Sequence, residues 1–388
     1  MNTATRVKNL EPEGAYYVLA RAQELERQGR DIIHLEIGEP DFPTPGSVSA
    51  AGIEAIEKNR TRYNPPRGLT ELREAVAKDA GRRRGITIDP GEVVITPGAK
   101  PVLFFPILAL VEPGDEVIYP DPGFPTYQAA IEVAGGVPVP VPLLEEKGFS
   151  FDLSVFDKLF TSKTKLIILN SPANPTGGIM PKEDLLYIAE KAMSQECWIL
   201  SDEIYSRIVY DGLTAPSIAV VPGILDRAII LDGFSKTYSM TGWRLGYGIM
   251  PKELAEKVQL LLTHSVGCTA HFTQFAGLEA ITGDQSVVDE MVAEYEERRN
   301  AVVKGLNEIT GVRCANPQGA FYAFPNVSAL KIPVDELADR ILSEAGVALL
   351  PGTSFGPYGE GYFRLSYCNS LEAIEEALSR LNHFVGKL

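Results

Sequence analysis

Short apolar runs rich in β-branched residues alternate with amphipathic stretches through the centre of the chain. The runs are EVVIT (92–96), EVIYP (116–120), LIILN (166–170), WILSD (198–202) and AIILD (228–232). Runs of this kind, apolar on both faces and separated by helical segments, predict a mostly parallel sheet of α/β type. Helical periodicity appears in TELREAVAKDAGRRRG (70–85), KEDLLYIAEKAMSQ (182–195) and KELAEKVQLLLTH (252–264). A longer stretch, DEMVAEYEERRNAVVKGLNEI (289–309), is placed to bridge into a second unit. Beyond it, strand-like AFYAFP (320–325) and YFRLSY (362–367) with two helices predict a smaller α+β domain. The expected division is an N-terminal arm with part of the small domain over 1–45, a large domain over 46–290 and the C-terminal small domain over 291–388.

In open parallel sheets, functional groups collect just beyond the carboxyl ends of the strands. Unusual residues cluster there: TPGAKP, DPGFPTY, NSPANPTGG, SDEIY and DGFSK each follow or end an apolar run. Five strand ends converging on one rim predict a site. Composition narrows its partners. At 388 residues the chain has room for two domains, and 45% apolar with 22% charged residues is ordinary for a globular protein. A net charge of −15 argues against a nucleic-acid partner. No apolar run is long enough to span a membrane. MNTATRVKNLEPEGAYY lacks the apolar centre of a secretory signal, so a cytoplasmic location is expected. Cys197, Cys268, Cys314 and Cys368 are far apart, and His264 and His271 have no third ligand at a metal-binding spacing, so no metal is expected. No G-x-G-x-x-G or P-loop follows a strand.

Lys236 stands out. It follows Gly233, Phe234 and Ser235, with Tyr238 and Trp243 close behind. Aromatic company desolvates an amine and depresses its pKa toward neutrality, and an uncharged amine is a nucleophile able to form a Schiff base with an aldehyde. Arg244, eight residues on, supplies a fork suited to phosphate. An aldehyde and a phosphate on one ligand fit pyridoxal 5′-phosphate.

GFSKTYSMTGWRLG (233–246) resembles the lysine-attachment signature of the class I/II pyridoxal-phosphate aminotransferases of fold type I. EIGEPDFPTP, RYNPPRGLTELREAV, NSPANPTGG, SDEIYSRIVYDG and FRLSY follow the family's order over nearly the whole chain, and the similarity is greatest to the aspartate-aminotransferase-like branch. The resemblance implies a mostly parallel seven-stranded central sheet flanked by helices, a smaller α+β domain, and a homodimer with shared active sites. It also implies amino acids and 2-oxo acids as substrates.

Residue by residue, the resemblance makes Lys236 the anchor of the cofactor and the carrier of the substrate proton. Asp202, otherwise a strand-end cap, would face the pyridine nitrogen and keep it protonated. Tyr205 and Asn174 would hydrogen-bond the ring oxygen, with Asn174 also meeting the substrate α-carboxylate. Gly98 and Ala99, in a glycine turn before an apolar helix, would cradle the phosphate with backbone N–H groups. Phe124, otherwise a core phenylalanine, would stack on the ring. Tyr63 would reach the phosphate of the neighbouring subunit. Arg364, otherwise a structural ion pair, would clamp the α-carboxylate beside the Gly38 backbone. Lys100 is disfavoured at a helix N-terminus by the dipole; either solvent or an anion, such as the phosphate or the distal carboxylate of a dicarboxylic substrate, relieves it.

Two positions depart from the family. Gly233 stands where many relatives have a phosphate-binding serine, leaving Ser235 as a possible substitute. Ala15 stands where the acid-recognising branch often has threonine. The expected activity is ping-pong transamination with a dicarboxylic partner, aspartate or glutamate with 2-oxoglutarate. An aromatic or alanine-type aminotransferase and a C–S β-lyase on the same scaffold are the alternatives.

Overall fold

The computed structural model describes residues 4–8, 10 and 12–388. Each of the five apolar runs forms a strand: Val93–Thr96, Glu116–Asp121, Thr164–Asn170, Trp198–Asp202 and Ala228–Gly233. They lie in one sheet, in the spatial order Val93–Thr96, Gly246–Ile249, Ala228–Gly233, Trp198–Asp202, Thr164–Asn170, Glu116–Asp121, Val137–Leu144 and Ser150–Phe151. The pairings from Ala228–Gly233 across to Val137–Leu144 are parallel. Gly246–Ile249 runs antiparallel to both neighbours. The seven-stranded sheet implied by the resemblance is therefore present, extended by an eighth strand. That addition, the two-residue Ser150–Phe151, folds back antiparallel on the edge.

Val117, Ile118, Leu166, Ile167, Ile168, Ile199, Leu200, Ile229 and Ile230 are wholly buried. Each such side chain contributes roughly 1.5–3 kcal/mol by leaving water, which explains why the runs show no polar alternation. Helices cover the sheet, among them Lys100–Leu110 packed on Lys252–Ser265 and Gly46–Glu57 packed on His271–Thr282. The helix Thr70–Arg84 stops at Gly85, whose φ of 67° suits a residue without Cβ. Its last turn reaches two strand ends. Arg84 donates to Glu203 Oε2 at 2.9 Å and to Asp232 Oδ2 at 3.0 Å, and Arg83 donates to Asp232 Oδ2 at 3.2 Å. Burial pushes the Asp232 carboxyl up, but Arg83 and Arg84 outweigh it and hold the group below its ordinary value.

The long helix Ser286–Asn307 leads into the C-terminal portion and packs on the last helix, Leu371–Val385. There an antiparallel sheet runs in the order Tyr322–Ala323, Phe363–Ser366 and Leu350–Pro351. Register places Tyr322 opposite Ser366 and Arg364 opposite Leu350. The opening helix Gly14–Arg27 packs on the same portion through Ala22 and Leu25 against Leu342 and Ala348, and Ile33–His34 pairs with Val347–Ala348. No helix among the described residues is long and apolar enough to cross a membrane.

Candidate active site

The strand Ala228–Gly233 delivers its following residues to the rim of the sheet, where Lys236 projects among buried neighbours. Its Nζ donates to the Gly38 carbonyl at 2.6 Å and lies 5.7 Å from the centre of the Phe321 ring. Burial lowers the amine to about 8. Gly38 itself is required by close approach: a Cβ there would stand 1.9 Å from the Tyr322 hydroxyl.

Asp202 ends the neighbouring strand and is buried. Its Oδ2 accepts from the Tyr127 hydroxyl at 2.8 Å, and its Oδ1 accepts from the Ile204 N–H at 3.2 Å. These donors are neutral, and burial raises the carboxyl to about 6. A carboxylate held this way suits a protonated heteroaromatic nitrogen, which would supply the missing positive charge. Three residues on, the Tyr205 hydroxyl bonds the Tyr322 hydroxyl at 2.8 Å, and burial pushes the Tyr205 phenol well up.

Arg364 lies under the same cluster. Its Nη1 donates to Asn174 Oδ1 at 3.1 Å and its Nη2 to the Glu36 carbonyl. The guanidinium is stacked 4.5 Å from the Tyr322 ring centre and 4.8 Å from that of Phe355. Burial lowers its pKa, and its Nε is buried without a partner. Both partners are neutral oxygens rather than the carboxylate of a structural ion pair, so the fork keeps unspent charge for an anion. Asn174 is oriented from behind, its N–H donating to Asn170 Oδ1 at 2.8 Å.

A second cation sits at the other end of the cluster. Arg244, with φ 53°, donates from Nη1 to the Thr241 carbonyl at 2.9 Å. Its Nη2 rests on the Gly98 turn so closely that a Cβ on Gly98 (φ 84°) would meet it at 2.3 Å. Ala99 then caps the helix Lys100–Leu110; Pro101 has no N–H and the Val102 N–H turns back to the Ala99 carbonyl at 2.9 Å, which leaves the Ala99 and Lys100 N–H groups at this end. A guanidinium over free N–H groups forms an anion site. A cleft of about 650 Å³ opens beside it, lined by Glu39, Phe42, Thr44, Trp243 and Arg244. Ser235 is buried nearby in sequence. A Cβ at Gly233 would meet Gly246 Cα at 3.1 Å and Ile204 Cδ1 at 3.2 Å, a tight but not forbidden fit.

The remaining candidates are placed differently. Phe124 is half-buried, edge-on to Tyr127 with ring centres 5.7 Å apart. Lys100 is paired with Glu13 and lies 5.3 Å from the Phe124 ring centre. Tyr63 is 97% exposed and takes no part in the cluster of its own chain. Ala15 packs beside Phe149, Phe324, Leu350 and Phe355. Sequence reasoning passed over Tyr322, Tyr127 and Glu13. Tyr127 lies one helical turn after Phe124, a usable signal; Tyr322 and Glu13 carry none.

The chain is similar to known proteins along nearly its whole length. The family described as aminotransferase class I and II matches residues 30–381. An aromatic-amino-acid aminotransferase of Thermococcus litoralis is 39% identical over 98% of this chain and 97% of its own. An aspartate aminotransferase of Geobacillus stearothermophilus is 38% identical over 99% of each chain. The solved structure of Thermus thermophilus aspartate aminotransferase with maleate superposes with a TM-score of 0.93, at 36% identity over 99% of each chain.

Proposed function

Because the chain belongs to the class I and II aminotransferases, we propose that it uses pyridoxal 5′-phosphate to move an amino group between an L-amino acid and a 2-oxo acid, with a dicarboxylic partner in at least one half of a ping-pong cycle. The observation that carries this is the juxtaposition around Lys236: an amine lowered to about 8 by burial, a buried Asp202 held by neutral donors and an Arg364 whose hydrogen bonds go to neutral oxygens.

The residues fit the cofactor. Lys236 would hold its aldehyde carbon, Arg244 with the Gly98–Ala99 turn its phosphate, and Asp202 its ring nitrogen. Tyr205 and Asn174 would meet the ring hydroxyl, and Phe124 the ring face. When bound, the cofactor supplies an electron sink for charge developing at the substrate Cα. The protein does the rest. Arg364 exchanges the Asn174 and Glu36 oxygens for the substrate α-carboxylate, a stronger charge-assisted pairing. Lys236, once the substrate amine replaces it, would take the Cα proton at Nζ and give it up again on the far side of the substrate nitrogen; a pKa near working pH suits both directions. Tyr205 and Tyr322, bonded to each other, form one wall beside Arg364. Exposed Tyr63 is offered to a second copy of the chain, which supports a homodimer with shared sites.

A dicarboxylic partner is supported by Lys100 on the rim and by maleate, a dicarboxylate, in the Thermus thermophilus structure. An aromatic donor is favoured by the Thermococcus litoralis relative. The test is a panel of amino donors given to the holoenzyme, with each half-reaction followed through the cofactor's absorption and borohydride trapping used to locate the modified residue. Spectral conversion and a label on Lys236 are expected. No conversion with any donor, or a label elsewhere, overturns the reading; pyruvate released from cystathionine without a 2-oxo acid would point to a β-lyase.

A further inference from the structure

The rim cation best placed for a substrate's distal carboxylate already holds a carboxylate of its own chain. Lys100 Nζ is paired with Glu13 Oε1, and the same oxygen accepts from Thr126 Oγ1 at 3.2 Å. The two charged side chains remain 46% and 27% exposed, so the pair faces the rim rather than the core. It also stands over the face expected to carry the ring, since Lys100 Nζ lies 5.3 Å from the centre of Phe124.

Glu13 is fixed there from the other side of the cluster. The next residue, Gly14, packs on Ser354 so closely that a Cβ would meet its Oγ at 2.5 Å. Ala15 packs against the cluster that includes Phe355, whose ring centre is 4.8 Å from the Arg364 guanidinium. The segment from Glu13 to Ala15 therefore runs from the Lys100 cation to the wall of the Arg364 pocket.

We propose that Glu13 is a specificity-determining residue, an internal competitor for Lys100 that weakens dicarboxylic substrates and leaves neutral and aromatic ones unaffected. The inference rests on the aminotransferase reading. An incoming carboxylate must either displace Glu13, stranding it with the Thr126 hydroxyl alone, or share one ammonium with a like charge. A neutral side chain meets neither obstacle. Discrimination thus comes from a repulsive element built beside an attractive one. Both acidic and aromatic substrates remain usable, because a rim ion pair in contact with water is worth little and opens readily.

Glu13→Gln keeps the shape and the Thr126 acceptor while removing the charge. Its expected effect on the holoenzyme is a rise of about two- to five-fold in kcat/KM for aspartate relative to phenylalanine, carried by KM. The dissociation constant of succinate, a non-reacting dicarboxylate, should fall by a similar factor, while that of 3-phenylpropionate should not move. Glu13→Ala, which removes the bond as well, should act in the same direction. On a Lys100→Met background the Glu13 substitutions should lose their effect, which a merely structural role of the segment would not produce. An unchanged aspartate-to-phenylalanine ratio in both variants, or an equal change on the Lys100→Met background, overturns the proposal. A parent protein that converts no amino acid at all overturns instead the reading on which it rests.

Discussion

The chemistry of single residues turns on Lys236. A lysine lowered from 10.5 to about 8 by burial is mostly neutral above that value, and only the neutral amine attacks an aldehyde. The second-order rate at which cofactor-free protein captures pyridoxal phosphate is therefore expected to rise with pH and level off just above about 8. Stopped-flow absorbance reads this directly, and a rate still climbing toward 10.5 would show an ordinary solvated amine. Linkage gives the same sign for stability. The folded protein binds fewer protons than the unfolded chain between about 8 and 10.5, so Lys236 contributes increasing stability as pH rises through that window. Lys236 was readable from sequence because a cation among aromatics is chemically odd. Asp202 and Asn174 stand out in the sequence as polar residues at or near the ends of strand-like runs, and Arg364 as an arginine inside an alternating strand pattern. Tyr322 was not, because a tyrosine in AFYAFP looks like any half-buried strand residue. Its position against Gly38, Tyr205 and Arg364 arises only when the small sheet folds over the rim. Glu13 was likewise hidden, since its partner Lys100 lies far along the chain.

Elements set the site by where they end. The strands Trp198–Asp202 and Ala228–Gly233 pair in parallel, with Asp202 opposite Leu231, so Asp202 and the residues after Gly233 emerge side by side. Arg83 and Arg84, at the end of Thr70–Arg84, tie the same two ends through Asp232 and Glu203, a buried ion cluster that resists their separation. The parallel strands were legible because burial on both faces leaves an unbroken apolar run. Val137–Leu144 was missed because VPVPVPLL carries prolines at alternate positions, and Gly246–Ile249 because GYGI offers little side chain to read. At the anion end, the turn of Gly98 is what lets Arg244 lie flat. Gly98→Ala places a Cβ 2.3 Å from Arg244 Nη2 at a φ of 84°, adding strain of about 1 kcal/mol and pushing the guanidinium off the turn. The expected outcome is a roughly ten-fold loss of pyridoxal phosphate affinity in equilibrium titration, with the fold retained by circular dichroism. Unaltered affinity would detach this turn from phosphate binding.

At the scale of the whole molecule, the cluster around Lys236 is assembled from residues spread between Gly38 and Arg364, yet Tyr63 stays outside it at 97% exposure. Ile53, Ile56 and Val266 are also strongly exposed for apolar side chains. If a second copy covers Tyr63, then Tyr63 of one chain serves the Lys236 of the other, and the two residues can be separated genetically. Lys236→Ala alone removes the amine from both sites of a dimer, and Tyr63→Ala alone removes the phenol from both. A hybrid of the two variants has one site lacking both groups and one site wholly intact. Random mixing makes about half of the dimers hybrids, so unfolding and refolding an equimolar mixture should restore roughly a quarter of the parent activity. Sedimentation should give a species of twice the 42.2 kDa chain mass. If Tyr63 acted within its own chain, every hybrid site would carry a defect and the mixture would show no more than the average of its two components. Recovery above that average can come only from a site built by two chains.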